Sequence, residues 1–249
     1  FSLVRFPTNE KRVEGQNFIN TNFASSTRFS LVGNLTTKLK RGPAGNNGGS
    51  DLLFINKNKP LYDKYLPLGL SVAPGMCNSK YDSFVVGMGD TQCLDERINS
   101  PTLVNSIIAD YISLVSTGGK QQKKVKSALE WLDIVKAESL KSFPAHSVLI
   151  PRGTRKDGSI YYADTITFVS TNFFVLPFTN QRDAILSATW MSTVFYQVMV
   201  EVNCKNQEGM RKMEKTEINN TYVPVFSTVS ASTYTDLLAE IGTLEFVDL

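Results

Sequence analysis

Phe143 to Phe178 reads FPAHSVLIPRGTRKDGSIYYADTITFVSTNFFVLPF. Its opening run, Ser147-Val148-Leu149-Ile150, is short, apolar and β-branched, and is stopped by Pro151. A basic turn follows, Arg152-Gly153-Thr154-Arg155-Lys156-Asp157-Gly158, with Asp157-Gly158 as its sharpest turn signal. Ile160-Tyr161-Tyr162 resumes a strand. Thr165–Val169 and Phe173–Leu176 add two more runs of the Thr, Ile, Phe and Val that suit a pleated, half-buried surface. The pattern predicts a small β-meander with three cations on its first turn and a polar Ser170-Thr171-Asn172 corner. Such a scaffold presents basic and amide side chains from turns.

Toward the N-terminus, Phe18–Phe23 and Arg28–Val32 both read as strands. Thr36–Arg41 then places Lys38, Lys40 and Arg41 just before the glycine-rich loop Gly42–Ser50. That loop lacks the Gly-Lys-Ser/Thr ending of a phosphate-cradling P-loop, because Gly48-Gly49 is followed by Ser50-Asp51. It reads as a surface loop, one that would order on a DNA backbone if DNA is the partner. Asp51–Ile55 and Tyr81–Met88 are further strands, Asn56–Pro60 is a basic turn, and Leu61–Leu70 is aromatic and ambiguous. Residues 1–100 therefore read as a β-rich N-terminal part.

The composition then changes. From Pro101, Leu103, Ile107, Ile108, Tyr111 and Ile112 recur at helical spacing, with proline in the first turn, until Gly118-Gly119 breaks the pattern. Lys120–Leu140 is a second helix whose first turns carry Lys120, Lys123, Lys124 and Lys126. Cations there oppose the helix dipole, so either an anionic partner or a solvated face accounts for them. Residues 101–140 form a helical connection. In the remainder, 141–249, Arg182–Val202 reads as one long apolar helix with Trp190 and Phe195 in the core. Gly209–Lys215 reads as a basic helical element, and Thr221–Phe226 as a strand kept at a sheet edge by Pro224. Tyr234–Ile241 is a last helix. The expected class is α+β, a mixed and mostly antiparallel β-sheet core with packed helices, in these three parts or as one continuous domain.

At 249 residues the chain holds enough material for one large domain or two small ones. Apolar residues at 42% and charged residues at 20% exclude wholesale disorder. A net charge of +3 is too small to argue for nucleic acid by itself, so a local basic cluster is required. Cys77, Cys93 and Cys204 have no C-x-x-C spacing and His146 is the single histidine, which argues against both a disulfide framework and a zinc site. That sparse cysteine use fits a reducing cytoplasm. No run reaches the roughly 18 to 20 apolar residues of a membrane helix. The first residues, without Met and without a signal layout, read as the start of a fragment excised from a longer polypeptide.

The run Val148–Tyr162, VLIPRGTRKDGSIYY, followed by Val169–Leu176, VSTNFFVL, resembles the target-recognition region of adenine-specific DNA methyltransferases and their restriction-modification relatives. Glu208–Pro224, EGMRKMEKTEINNTYVP, resembles the closing segment of such regions, where a basic helix leads into a strand ending in Val-Pro. Type I specificity subunits end their recognition domains in a similar way. The resemblance spans about His146 to Phe226. It implies a sequence-specific double-stranded DNA recognition module that acts with a separate methyltransferase or nuclease domain or subunit. S-adenosylmethionine or Mg²⁺ would then be expected only in that missing catalytic domain.

Catalytic signatures are missing from the chain itself. An adenine methyltransferase needs an Asp/Asn-Pro-Pro-aromatic motif, and no two prolines here are adjacent. A metal-dependent nuclease needs an acidic-x-Lys pair on a strand beside a further Asp. The nearest matches, Asp133-Ile134-Val135-Lys136 and Glu214-Lys215, fall on expected helices. A nucleophilic triad would have to use His146, more simply a corner residue. No catalytic or metal residue is therefore assigned, and no activity is expected of this chain alone.

The DNA-binding candidates are Arg152, Arg155 and Lys156 on the first turn, Asn172 at the corner, Lys120 and Lys123 on the central helix, Arg211, Lys212 and Lys215 on a later one, and Lys38, Lys40 and Arg41 before the glycine loop. Lysines suit phosphate, whereas arginine and asparagine can also read base edges. Arg152 and Arg155 read equally as a solvated turn, and Asn172 equally as an Asx-type hairpin closure. Two other functions are compatible with the sequence: a metal-dependent endonuclease domain, and a non-enzymatic domain whose basic clusters meet an acidic protein.

Overall fold

A computed structural model describes residues 8–42, 54–56, 60–76, 91–94, 101–117, 143–154, 159–207 and 210–243. The expected strand at Tyr81–Met88, the expected helix at Lys120–Leu140 and most of the glycine loop lie outside those residues. In chain order the elements are α1 (Asn9–Ile19), β1 (Phe29–Leu31), β2 (Lys40–Arg41), β3 (Phe54–Asn56), α2 (Pro60–Tyr65), β4 (Val72–Met76), β5 (Thr91–Leu94) and α3 (Pro101–Thr117). They continue with β6 (Ser147–Pro151), β7 (Gly153–Thr154), β8 (Tyr161–Ala163), β9 (Phe168–Val169), β10 (Phe173–Pro177), α4 (Gln181–Met191) and α5 (Val194–Asn203). β11 (Lys205–Gln207), β12 (Met210–Lys212), α6 (Lys215–Asn219), β13 (Tyr222–Pro224) and α7 (Ala231–Thr243) complete the set. The mixed α+β class is as the sequence predicts.

The chain forms two units. The first takes its described residues from 8–40, 144–165 and 173–243, the second from 41–143 and 166–172.

In the first unit β6 is the central strand of an antiparallel sheet, between β10 (Phe174 opposite Ile150) and β8 (Val148 opposite Tyr162). Every residue of β6 is buried, which is why its sequence is a continuous apolar run and does not alternate. Val148, Ile150, Phe174 and Leu176 join Ala184, Met191, Tyr196 and Met199 from α4 and α5 in one core. The expected simple meander is corrected here: β7 and β9 leave this sheet, β7 for a sheet with β12 and β11, and β9 for the second unit. Among the described residues β13 pairs antiparallel with β1 alone, so Pro224 sits on an edge there.

Three further expectations are corrected. Phe18–Phe23 is helical: α1 runs on through a wide turn at Asn20–Ala24. Thr8 caps α1 by accepting from the Lys11 N–H, and Ile19 and Phe23, four apart, bury the same face. The single apolar stretch Arg182–Val202 is two helices. Ser192 ends α4, and Thr193 starts α5 as an N-cap that accepts from the Tyr196 N–H. Both hydroxyls also donate to carbonyls of the preceding turn, Ser192 to Ala188 and Thr193 to Trp190. Trp190 packs among Phe23, Phe29 and Phe195, with its indole N–H on the Tyr222 carbonyl at 2.7 Å. Phe195 is not core: it closes that cluster from the surface at 44% exposure.

The second unit carries the sheet β3-β5-β4-β9, antiparallel except for β4 with β9. α3 runs as predicted, burying Leu103, Ile107 and Tyr111 at intervals of four. Lys64 pairs with Asp110 at 2.6 Å, and the buried Tyr65 hydroxyl donates to the same carboxylate, joining α2 to α3. Gly42 touches the backbone directly after β9. A β-carbon there would lie 2.6 Å from the Val169 carbonyl oxygen and would collide with the Ser170 carbonyl. No helix among the described residues is long and apolar enough to cross a membrane.

Candidate nucleic-acid interface

The sheet β7-β12-β11 of the first unit gathers the basic side chains. Lys212 stands opposite Gly153 on one side and Lys205 on the other, while Arg211 stands opposite Thr154 and Asn206. Arg211 and Lys212 are therefore strand residues, not helical ones as the sequence predicts. The reason is local: Gln207 and Met210 are cross-strand partners at the mouth of a hairpin, and the chain turns helical only after Glu214. Lys215 opens α6 and is exposed.

Two ammonium groups directly opposite on one sheet face repel. Here each has its own carboxylate. Lys205 meets Glu217 at 2.9 Å and Lys212 meets Glu214 at 3.5 Å. Arg152, at the corner between β6 and β7, puts its Nη2 2.5 Å and its Nε 3.2 Å from the same Oε1 of Glu214. The Met213 N–H donates to the Arg152 carbonyl at 2.8 Å, so the two strands hold that arginine beside the start of α6. Arg211 reaches the opposite way, to Glu201 of α5. The carboxylates are fixed in turn. Glu214 caps α6 reciprocally with Glu217, whose side chain accepts from the Glu214 N–H at 3.0 Å.

Charge pairing sets the titration of this network. The hydrogen bond from Arg152 holds the Glu214 carboxyl below the usual range, against burial and with help from Lys212. Burial pushes Glu217 up, but Lys205 and the N–H groups of Glu217 and Glu214 outweigh it, leaving that carboxyl low as well. Depressed carboxyls stabilise the fold above their unfolded pKa, about 4.3, and lose that contribution as pH falls through the folded values. The melting temperature of the parental chain is expected to drop steeply below about pH 4.5. Glu214→Gln should be less stable at neutral pH and shallower in acid, and parallel curves for the two proteins would refute this assignment.

The other candidates fall elsewhere. Lys38 donates to the carbonyls of Gly33 and Leu35 at 3.3 and 3.0 Å, closing its own turn, and Lys40 is exposed. In the second unit Arg41 donates to the Thr171 carbonyl at 3.4 Å, beside Asn172. Across the corner the Ser170 hydroxyl accepts from the Asn172 N–H at 3.2 Å. Arg155, Lys156, Lys120 and Lys123 lie outside the described residues. His146 is a corner residue: it takes a left-handed φ of 63° and its Nδ1 lies 2.8 Å from the Tyr162 hydroxyl. Among the described residues no group of three or more His, Cys, Asp or Glu side chains is placed to hold a metal ion.

Sequence reasoning misses Lys205 and the carboxylates Glu201, Glu214 and Glu217. The spacing of Glu214 and Glu217, three apart before the buried Ile218, is the signal that would have revealed the cap. Nothing local marks Lys205 or Glu201.

The chain belongs to a family of restriction-endonuclease specificity domains, whose family model matches residues 40–249. That family is described as the specificity domain of restriction endonuclease BpuSI. A solved structure of the type IIG restriction endonuclease BpuSI is similar at a TM-score of 0.72 and 25% identity, over 95% of this chain and 28% of that one. No curated protein matches the sequence.

Proposed function

We propose that the chain is the sequence-specific double-stranded DNA recognition module of a restriction-modification protein, working beside a catalytic domain. The match over residues 40–249 to the specificity domain of BpuSI is the observation that carries this reading. Its chemistry agrees: Arg152, Lys205 and Lys212 gather about Glu214 and Glu217, with Arg211 on the same strand as Lys212 and Lys215 opening the next helix. Phosphate contacts from such cations supply affinity and register, while base edges read by arginine or asparagine supply specificity. The catalytic partner is an adenine-specific methyltransferase or a nuclease, and S-adenosylmethionine or Mg²⁺ belongs to it. The setting is cytoplasmic.

Selection from random duplexes tests the reading. The parental chain is expected to enrich one defined site. Arg155→Ala should relax one base position, a loss of about 1 to 3 kcal/mol of discrimination there. Lys212→Ala should weaken all duplexes about equally. With Mg²⁺ alone the chain should leave plasmid intact, and with S-adenosylmethionine it should transfer nothing. Cleavage abolished by a chelator would move the assignment to an endonuclease, and enrichment of no sequence would remove the recognition role.

A further inference from the structure

Two of the candidate phosphate-binding cations share one carboxylate. Arg152 and Lys212 both address Oε1 of Glu214, at 2.5 and 3.5 Å. The three side chains are 26%, 26% and 31% exposed, so the pair is open enough to be exchanged and closed enough to be held. A carboxylate, like a backbone phosphate, offers a guanidinium anionic acceptor oxygens for charge-assisted hydrogen bonds. Glu214 is also anchored from behind. It is the N-cap of α6, fixed reciprocally by Glu217, which keeps it against the cations in the free protein.

We propose that Glu214 is an internal counter-anion that occupies the phosphate-binding position of Arg152 and Lys212 in the free protein and gives way to DNA phosphate only when the rest of the interface engages. It is a specificity-determining residue that touches no base. Charge contacts to phosphate are blind to sequence and supply nearly all non-specific affinity. Masking two of them subtracts from every wrong duplex. A random duplex, not seated by base contacts, leaves the carboxylate in place and forgoes both phosphate contacts, whereas the target site, seated by its base contacts, displaces it and recovers them. The affinity for cognate DNA falls less than the affinity for random DNA, and the ratio widens.

The inference rests on the DNA-recognition reading, and one titration separates the two. Glu214→Gln keeps an amide oxygen for the cap of α6 and removes only the charge. Glu214→Ser, a good N-cap, gives the same charge change should the glutamine fail to fold. Binding of the 249-residue chain to a random duplex and to its selected site is measured by fluorescence anisotropy across a salt series. For the random duplex, both variants are expected to bind about tenfold tighter, with a log-log salt slope steeper by about one to two. The ratio of selected to random affinity should fall. Parental slope and parental ratio in a folded variant overturn the role of Glu214 while leaving DNA recognition intact. A parental chain with no salt-dependent binding to either duplex overturns the recognition reading and this inference with it.

Discussion

Replacing Phe174 with alanine is expected to remove about 4 kcal/mol of stability, a large share of what a domain of this size possesses. Phe174 lies on β10 opposite Ile150 of the central strand and is only 2% exposed. Its ring fills the contact between the sheet and the pair of helices α4 and α5, in the cluster with Leu176, Met191 and Met199. Truncation removes the transfer free energy of the ring and leaves a cavity that strands paired on both sides of β6 cannot close. Phe195→Ala is the comparison. That ring is 44% exposed at the rim of the aromatic cluster, so its loss should cost about 1 kcal/mol. Urea unfolding at constant slope measures both. Equal midpoints for the two variants would show that Phe174 is not a core residue. The consequence reaches the interface, because β6 leads directly into Arg152.

The second large effect concerns Gly42. Gly42→Ala is expected to cost about 3 kcal/mol, at the upper end for inserting one methyl group. Most overpacking is relieved by rotating a side chain. Here the obstacle is the backbone of Val169 and Ser170. That backbone is pinned, since β9 pairs in parallel with β4 and the Ser170 N–H donates to the Met76 carbonyl at 2.9 Å. Gly33→Ala is a useful contrast: its β-carbon would meet Asn219 at 3.2 Å, a contact that a small shift relieves. A Gly42→Ala protein with the parental melting temperature would show that β9 can move. The same substitution should displace the Ser170-Thr171-Asn172 corner, so any contribution of Asn172 to DNA selection should fall with it.

The parts of this fold that were legible in the sequence are those where one period dominates. The β6 run, β10 and the Leu103-Ile107-Tyr111 stripe of α3 each bury a face wholly determined by their own residues. α1 was not legible. Its residues are largely polar and exposed, and its helical state rests on the Thr8 cap and on packing against α5. A β-carbon at Gly15 would sit 2.6 Å from Val202, which marks how closely those two helices approach. The break between α4 and α5 was written in Ser192-Thr193, but the apolar period on either side masked it. At the interface the cations were visible and their neutralisation was not. Glu201 and Glu217 meet Arg211 and Lys205 only because α5 and α6 pack beside the hairpin. A tally of basic residues therefore overstates the positive charge that free DNA would encounter.

The partition of the chain has an evolutionary side. Among the described residues the polypeptide passes from one unit to the other between residues 40 and 41, 143 and 144, 165 and 166, and 172 and 173. Recombination exchanges contiguous gene segments, so a single crossover cannot transplant either unit whole from a relative. Chimeras that aim to redirect DNA choice would have to match junctions at all four passages, two of them flanking the seven residues that include Asn172. On the proposed reading, point substitution around Arg152, Lys212 and Glu214 would redirect DNA choice with no junction to match.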